Sequence, residues 1–290
     1  MKEKKIIARI RGGLGNQLFC YAAARRLAML NDAKLVLDDT TGFVRDRLYN
    51  RKYMLNHFRI PVRTATPAER LEPFERFRRA ALKWTARAQR YERRRYLEEE
   101  SGEFDERLLK LRIHGTLYLD GLWQSEEYFK DIEPTIREDL SIIAPVDAAS
   151  QQTAAAIRGC EAVALHVRWF DAPTSSATRN TGAGYYERAI SLIERKVASP
   201  RYFVFSDDPT AAREKLDLPA DQVTFVTHNS GDETAHSDLW LMTQCRHFIT
   251  ANSTFSWWGA WLSESSGKIV IGPKEFHGTG RWHFRDLVPV

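Results

Sequence analysis

The sequence predicts an α/β protein built from two halves, each organised around a parallel sheet. Short apolar segments alternate with helical patterns from residue 162 onward, and a shorter strand, glycine loop, helix and strand occupy residues 4–39. Strands that alternate with helices form parallel sheets with right-handed crossovers. The small-residue-rich stretch 141–156 separates the two patterns. We therefore predict two domains, residues 1–150 and residues 151–290.

The first half begins with a strand and a glycine-rich loop, followed by a helix from Leu18 to Leu30 and a second strand, "KLVLDD". The loop "RGGLGNQ" is similar to a dinucleotide fingerprint in which Asp38 would hold a ribose, but Leu18 occupies the third glycine position. Asn16 and Gln17 place two carboxamides before the helix N-terminus, where they can hydrogen-bond a neutral hydroxyl or an anionic leaving group. A glycine turn with Asn16 as helix N-cap is the structural alternative.

The second half alternates strands and helices regularly. Open parallel sheets bind ligands beyond the carboxyl ends of their strands, so the polar residues that directly follow these strands are candidates for a site. A cleft between the two halves would gather such residues from both. The predicted strands are 162–168, 202–208, 223–227, 247–252 and 268–273, and the predicted helices are 185–197, 210–216, 233–245 and 254–263.

Charged side chains follow the first strand of the second half in "LHVRWFD", which contains His166, Arg168 and Asp171. A guanidinium at a strand end suits a phosphate oxygen and can stabilise the charge that develops as a phosphate leaves. Asp171 is placed to hold this arginine. A purely structural ion pair between Arg168 and Asp171 is the alternative.

Small hydroxylated residues precede three tryptophans in "NSTFSWWGAW", residues 252–261. A strand that ends at Asn252 and turns into a helix at Thr254 aims free backbone N–H groups and hydroxyls outward, which is typical of a phosphate cradle. The tryptophans recur at helical spacing and are predicted to pack on the core. The candidate phosphate contacts are Asn252, Ser253, Thr254, Phe255 and Ser256.

The segment "FSDD" supplies Ser206, Asp207 and Asp208 at the end of the next strand. The two carboxylates can bind a nucleobase amide or a ribose diol. Capping of the helix that follows is an equally good interpretation.

Positive charge is confined to one segment. Residues 70–95 carry ten Lys and Arg against three Glu, a surplus of +7, so the rest of a +5 chain sums to −2. This confinement argues against nucleic acid as a partner. Apolar residues at three- and four-residue steps predict an amphipathic helix here, and Thr66, Pro67 and Glu69 form a capping box at its start. Its basic face is either solvated or contacts anionic lipid or a phosphorylated acceptor.

Several classes of protein are disfavoured. The N-terminus does not match a signal peptide, and no apolar run approaches the length of a membrane span. Cys20, Cys160 and Cys245 are too widely spaced to predict a zinc site or a disulfide framework, so a cytoplasmic location fits best. D-x-D, HExxH, Walker A and GxSxG motifs are absent from the sequence, and we expect neither a metal nor a cofactor.

Five motifs together resemble the bacterial α-1,2-fucosyltransferases, glycosyltransferase family 11, in the order of that family. They are "RGGLGNQLFCYAAARRLA", "DGLWQSEEYF", "HVRWFD", "FSDD" and "TANSTFSWWGAWL". The wider fucosyltransferase superfamily shares an H-x-R-x-x-D pattern, which here falls on His166, Arg168 and Asp171, and a glycine loop with an asparagine, here Asn16. Many members have Arg-Gly where this chain has Trp169-Phe170, which leaves the acceptor open.

The resemblance implies a GT-B architecture in which two Rossmann-like domains face a cleft. It implies an N-terminal acceptor domain, a C-terminal domain that binds GDP-β-L-fucose, and inverting transfer, without a metal, to the 2-OH of a terminal galactoside. The acceptor would be an oligosaccharide or a lipid-linked glycan. A fucosyltransferase of another linkage, such as α-1,6, is the first alternative, and a non-catalytic nucleotide- or sugar-binding module is the second.

Residue roles follow from the same resemblance. Arg168, Asn16 and His166 are the expected catalytic residues, and Asp238 on the helix before the phosphate cradle is expected to contact the donor. Separately from the resemblance, peripheral contact with the inner membrane face is one of the interpretations of the basic segment 70–95. The remaining donor contacts would include Gly13 and Gly15, and the acceptor contacts would be Trp123, with an apolar ring face for a sugar, and Gln124. A core tryptophan in a strand-to-helix turn is the alternative for Trp123.

Overall fold

The computed structural model describes residues 3–168, 181–273 and 287–289. The chain divides into two compact units, Met1–Ser141 and Ile142–Val290. Each unit contains an all-parallel sheet with helical connections, so the predicted α/β class is confirmed.

The first unit contains a four-stranded sheet. Its strands are β1 (Lys5–Arg9), β2 (Lys34–Asp38), β3 (Tyr96–Glu98) and β4 (Thr116–Asp120), and its helices are α1 (Leu14–Asn31), α2 (Glu75–Arg87), α3 (Arg107–Lys110) and α4 (Glu133–Asp139). The strand order is β2-β1-β4-β3, with every neighbouring pair parallel. The chain therefore leaves β1 toward β2 on one side and reaches β4 from β3 on the other, so β1 and β4 are the central pair that flanks the point where the strand order reverses.

Helix α1 begins four residues earlier than the sequence predicts, so Asn16 and Gln17 lie in its first turn and not on the loop. Its N-cap is Gly13, and the prediction of Asn16 as N-cap is wrong. The reason is the fully buried Gln17 side chain. Its amide donates to the carbonyl oxygens of Gly12 (2.9 Å) and Lys52 (2.8 Å) and accepts from the N–H of Met54 (2.9 Å). These bonds to distant backbone hold the first turn in place.

The predicted capping box forms, but it does not start the long basic helix. The N–H of Thr66 donates to Glu69 at 3.0 Å, and the N–H of Glu69 donates to the Thr66 hydroxyl at 3.4 Å. The turn ends within a few residues, and α2 begins only at Glu75. Pro73 lies between them. A proline has no N–H to donate, and its ring clashes with the carbonyl four residues earlier in a helix, so one continuous helix from Thr66 is prevented.

The second unit contains a six-stranded sheet. Its strands are β5 (Ala162–Val167), β6 (Arg201–Ser206), β7 (Val223–Phe225), β8 (His247–Ile249), β9 (Val270–Gly272) and β10 (Leu287–Pro289), and its helices are α5 (Ala148–Arg158), α6 (Ala183–Glu194), α7 (Pro209–Lys215), α8 (Ala235–Gln244) and α9 (Thr254–Leu262). The strand order is β10-β9-β8-β5-β6-β7. From central β5 the chain adds strands first on one side and then on the other, which is the doubly wound pattern.

Helices cover both faces of this sheet because β5 is apolar on both sides. Val163, Leu165 and Val167 share one core with residues of α6, such as Ile193. Ala162 and Ala164 share the other core with α5 and α8. Strands buried on both faces read as continuous apolar runs, as the sequence of β5 does.

Helix α5 occupies most of the stretch that the sequence assigns to the join. The Asp147 side chain caps it by accepting from the N–H of Ser150 at 2.7 Å, and Ala154 and Ile157 are fully buried. Alanine has the highest helix propensity, so small residues here signal a helix and not a linker. Along the chain, the boundary between the two units falls between Ser141 and Ile142, ahead of this helix.

The tryptophans of α9 are core residues, as predicted. Trp257, Trp258 and Trp261 are 4%, 0% and 3% exposed. Their rings also pack on one another, with centroids 5.0 Å apart for Trp257 and Trp258 and 5.1 Å for Trp258 and Trp261. This packing fixes the helix and hence the position of its N-terminus.

Candidate functional site

Three of the predicted polar segments follow neighbouring strands of the second sheet. In the register of this sheet, Leu165 of β5 pairs with Ile249 of β8, and Val167 of β5 pairs with Ser206 of β6. Arg168, the segment after Ser206 and the segment after Ile249 therefore leave the same edge side by side. This edge includes the switch point between β5 and β8, where open α/β sheets bind ligands.

Arg168 forms an ion pair within this group. Its Nη1 atom lies 3.1 Å from Oδ2 of Asp207, and the two side chains are 23% and 34% exposed. Asp207 therefore orients a guanidinium that still reaches the surface. The sequence assigned this orienting role to Asp171, which lies outside the described residues, as do Trp169 and Phe170.

Asp208 and Ser206 are engaged with nearby backbone. The Asp208 carboxylate accepts from the N–H of Ala211 at 2.9 Å and caps α7. The Ser206 hydroxyl accepts from the N–H of Asp208 at 3.1 Å. These contacts match the capping interpretation of Asp208, and of the two aspartates it is Asp207 that contacts Arg168.

His166 is buried at the end of β5 and packs near Phe255, with ring centroids 5.6 Å apart. Burial, together with the positive charge of Arg168, lowers its pKa to about 3. Its ring is therefore neutral at physiological pH and a weak base. Among the described residues the buried Nδ1 atom has no hydrogen-bond partner.

The N-terminus of α9 is capped by Ser253, whose extended backbone and hydroxyl hold the first turn. The hydroxyl accepts from the N–H of Phe255 at 3.3 Å, and the buried Ser256 donates its hydroxyl to the Ser253 carbonyl at 3.3 Å. Asn252 and Thr254 are half-buried beside this cap. Helix N-termini carry a positive partial charge and unsatisfied N–H groups, which favour an anion.

Asp238 lies on α8, the helix that precedes β8 and the α9 cap. Its carboxylate accepts from Nδ2 of Asn229 at 2.8 Å. Burial raises its pKa to about 7, although the hydrogen bond from Asn229 opposes this shift. A carboxyl group that titrates near neutrality is typical of a functional position.

In the first unit the structure brings together two predicted residues, Asn16 and Gln124. Nε2 of Gln124 donates to Oδ1 of Asn16 at 2.8 Å. Asn16 follows β1 and Gln124 follows β4, the two strands that flank the switch point of this sheet. Gly12 has a φ of +78°, and a Cβ there would lie 2.8 Å from Nδ2 of Asn16, so a glycine is required beside this amide. Gly13, the N-cap, and buried Gly15 complete the turn.

Trp123 is 2% exposed, and its ring packs edge-on against Tyr128 at 5.6 Å. The backbone N–H groups of Trp123 and Leu122 donate to the two carboxylate oxygens of Glu99, at 3.1 and 2.8 Å. The geometry fits the core interpretation of Trp123, since neither face of its ring is open in this structure.

Sequence reasoning missed a charge network at the carboxyl edge of the first sheet. Asp120, the last residue of β4, is 1% exposed and lies 3.2 Å from Nη1 of Arg9 and 3.7 Å from Nε of Arg11. Asp38, the last residue of β2, contacts Arg79 at 3.2 Å and is not free to hold a ribose. The available signal was a charged residue at the end of each strand.

A shallow pocket of about 200 Å³ lies beside this network. Five of its lining residues are basic and one is acidic. The lining includes Arg9, Arg45, Arg76, Arg79, Lys83 and Glu75.

The sequence is similar to known glycosyltransferases over nearly its whole length. The family model for glycosyl transferase family 11 matches residues 5–278. The chain is 28% identical over 279 residues to an α-1,2-colitosyltransferase of Escherichia coli, covering 92% of this chain and 91% of that protein. It is 31% identical over 284 residues to the O-antigen biosynthesis glycosyltransferase WbnK of Escherichia coli, covering 91% of this chain and 92% of that protein.

Solved structures of fucosyltransferases share the fold. The fucosyltransferase NodZ from Bradyrhizobium matches with a TM-score of 0.54 at 17% identity, over 90% of this chain and 93% of that chain. The α-1,6-fucosyltransferase NodZ soaked with GDP-fucose matches with a TM-score of 0.51 at 16% identity, over 96% and 97% of the two chains. These likenesses confirm the predicted GT-B fold class.

Proposed function

Because the chain belongs to glycosyl transferase family 11, we propose that it transfers L-fucose from GDP-β-L-fucose to the 2-OH of a terminal galactoside, with inversion at the anomeric carbon. The observation that carries this proposal is the group formed by Arg168, Asp207 and the capped N-terminus of α9 at one sheet edge. The acceptor would be an oligosaccharide or a lipid-linked glycan. A cytoplasmic location belongs to the same proposal.

The diphosphate of the donor would bind between Arg168 and the first turn of α9. Arg168 supplies a fixed positive charge, and α9 supplies backbone N–H groups with the hydroxyls of Ser253 and Thr254. Asp207 keeps the guanidinium in place. Asp238 would accept hydrogen bonds from the guanine or the ribose.

In the reaction the acceptor 2-oxygen forms a bond to fucose C1 as the bond from C1 to the β-phosphate oxygen breaks. The electron pair of that bond goes to GDP, and the acceptor hydroxyl releases its proton to solvent. Negative charge grows on the β-phosphate in the transition state, so a preorganised guanidinium there stabilises the transition state more than the ground state. Metal-free transfer is part of the proposal, since Arg168 and the α9 N–H groups can take over the neutralisation of this charge.

Asn16 and Gln124 are assigned to the acceptor side. Their hydrogen-bonded amides can donate to and accept from a neutral hydroxyl, and either can align the acceptor oxygen or the leaving oxygen. Neutral His166, packed under Phe255, is assigned to positioning the Arg168 strand end. Its pKa of about 3 makes it a poor proton acceptor at neutral pH.

A second candidate donor sugar is colitose, favoured by the 28% identity to the α-1,2-colitosyltransferase over most of both chains. The residues assigned above contact the nucleotide and the leaving oxygen, so they serve either sugar. The choice depends on the contacts around the sugar ring.

The test is a transfer assay with GDP-fucose and nucleotide-activated colitose against a panel of galactosides, followed by linkage analysis of the product by NMR. We expect an α-1,2-fucosylated galactoside in the presence of EDTA. A product with α-1,6 linkage would assign another acceptor position. Binding of GDP without release or transfer, for every acceptor offered, would identify a binding module.

A further inference from the structure

Helix α2 presents large apolar side chains to solvent. Phe74, at its N-cap, is 68% exposed, and Phe77 and Trp84 are 71% and 76% exposed. With the exposed Ala81 and Ala88 they recur at three- and four-residue steps and form one stripe. Scattered exposed apolar residues are ordinary, but a continuous aromatic stripe on one helix marks an interaction surface.

The face of α2 that packs on its own unit is held by a buried charged residue. An ordinary surface helix buries its apolar face instead. Only Arg79 and Ala86 are buried in this helix. The Arg79 guanidinium lies 3.2 Å from Asp38 and 2.7 Å from the Thr41 hydroxyl. At about 100° per residue, Phe77 and Trp84 lie roughly 140–160° around the helix from Arg79. The stripe therefore points away from the body of its own unit.

Arginines flank the stripe. Arg76 and Arg87 lie along one side, Arg78 lies on the other, and Arg90 follows the C-terminus; all four are exposed. Within the described part of the chain, no carboxylate forms an ion pair with Arg76, Arg87 or Arg90. Residues 70–95 carry a surplus of +7. The surface is therefore both apolar and strongly positive.

We propose that α2 is a docking site for an anionic phospholipid bilayer. Phe74, Phe77 and Trp84 enter the boundary between headgroups and acyl chains, and the flanking arginines contact lipid phosphates. An interfacial helix has this combination of an aromatic face and basic flanks. A nucleic acid would engage the arginines but leave the stripe in water, and a second copy of this surface would bring two positive segments together.

This contact would be peripheral. None of the helices that the structure describes has the length and hydropathy needed to cross a bilayer. Helix α2 has 13 residues and would lie in the plane of the membrane. The proposal does not depend on which sugar the protein transfers, because α2 contributes none of the donor contacts assigned above.

The test is sedimentation of the full chain with vesicles, in the absence of sugar substrates. We expect binding to vesicles of equal parts phosphatidylglycerol and phosphatidylcholine, no binding to pure phosphatidylcholine, and weaker binding as salt is raised. Replacing Phe77→Ser and Trp84→Ser together should weaken binding by about tenfold or more, since both rings leave the bilayer. Arg87→Glu with Arg90→Glu should also weaken it. Val146→Ser, an apolar residue 96% exposed in the second unit, is the matched control.

The thermal unfolding of each variant, and its transfer to a soluble galactoside, should equal those of the wild type, which separates loss of docking from loss of folding. A wild type that ignores anionic vesicles would overturn the proposal, as would a double variant that binds like the wild type. Sedimentation velocity that shows a dimer lost in the Phe77→Ser, Trp84→Ser variant would instead assign the stripe to a protein interface.

Discussion

The two units place charged residues at equivalent sheet edges, yet the charges have different surroundings. In the first unit Asp120 and Asp38 are 1% exposed and contact Arg9 and Arg79. In the second unit the pair of Arg168 and Asp207 is partly exposed beside a helix N-terminus. A buried charge that is neutralised on several sides holds a fold together, whereas a partly exposed guanidinium beside N–H donors can still bind an anion.

The two switch points also differ in charge. Between β1 and β4 the residues in contact are the neutral amides of Asn16 and Gln124. In the second unit they are Arg168 after β5 and Asp207 after β6, which form an ion pair beside the switch point between β5 and β8. Neutral amides suit a hydroxyl acceptor, and an arginine suits a diphosphate, so this difference supports the proposal that acceptor and donor bind different units.

The largest effect is expected from Arg168→Lys, which should lower kcat with GDP-fucose by about a hundred- to thousandfold, because lysine lacks the planar fork of a preorganised donor. Steady-state kinetics measure this. Arg201→Lys, at the opposite end of β6, is the control and should leave kcat unchanged. If Arg168→Lys keeps kcat and raises only the donor KM, Arg168 binds the ground state and the transition state equally. The partly exposed ion pair of the second unit would then serve donor binding and not catalysis.

The free energy of unfolding, unlike kcat, should depend more on the first unit's Asp120 than on the second unit's Asp207. Burial opposes the charge of Asp120, but the charge of Arg9 and the hydrogen bond from Tyr96 hold its pKa below the ordinary value. Asp120→Asn leaves the partly buried Arg9 without its counter-charge and the buried Tyr96 hydroxyl without its carboxylate acceptor. It should cost about 3 kcal/mol in the free energy of unfolding, whereas Asp207→Asn should cost about 1 kcal/mol or less. Urea unfolding of both variants measures the difference, and equal losses would contradict the comparison.

The lowered pKa of Asp120 also determines how its contribution to stability depends on pH. A carboxyl group with a depressed pKa in the folded state stabilises the protein above its unfolded pKa. The contribution of Asp120 should therefore be constant near neutral pH and be lost only as the pH falls through acidic values. Thermal unfolding across the acidic range should show a smaller decline in Asp120→Asn than in the wild type.

Asp238 should make donor binding depend on pH near neutrality. With a pKa of about 7, only the carboxylate can accept two hydrogen bonds from guanine or ribose, so GDP affinity should rise by about tenfold between roughly pH 6 and pH 8. Calorimetric titration of GDP measures it, and Asp238→Asn should give a flat profile. A wild type with no such rise would remove Asp238 from the donor site.

The stability contribution of Asp238 has the opposite sign to that of Asp120. Because its folded pKa is raised, the protonated group favours the fold, and the wild type loses stability as the pH rises from about 4 to about 7. Asp238→Asn should lack this loss.

The smallest effect concerns the helix cap. Ser253→Ala removes the hydrogen bond to the N–H of Phe255 and should cost about 1 kcal/mol of stability. The matched control is Asp147→Ala, which removes the equivalent cap of α5. Both should lower the free energy of unfolding similarly, but only Ser253→Ala should raise the donor KM. Equal donor KM values would show that the α9 cap is structural.

The sequence alone determined the parts of this protein that depend on local patterns. The alternation of apolar strands with helices predicts the second sheet, because a strand buried on both faces must be apolar throughout. The same pattern puts Arg168, Asp207 and Ser253 directly after strands that proved to be neighbours. The helical spacing of the tryptophans likewise predicts the buried face of α9.

Only the tertiary structure decided the features that depend on distant contacts. Helix α1 begins early because Gln17 bonds to backbone 35 residues away at Lys52. The face of α2 that is buried depends on Arg79 reaching Asp38, a partner 41 residues away that periodicity cannot reveal. The pKa of Asp238 depends on burial. Each of these is set by desolvation and by partners that folding brings together, and the order of residues in the chain does not contain that information locally.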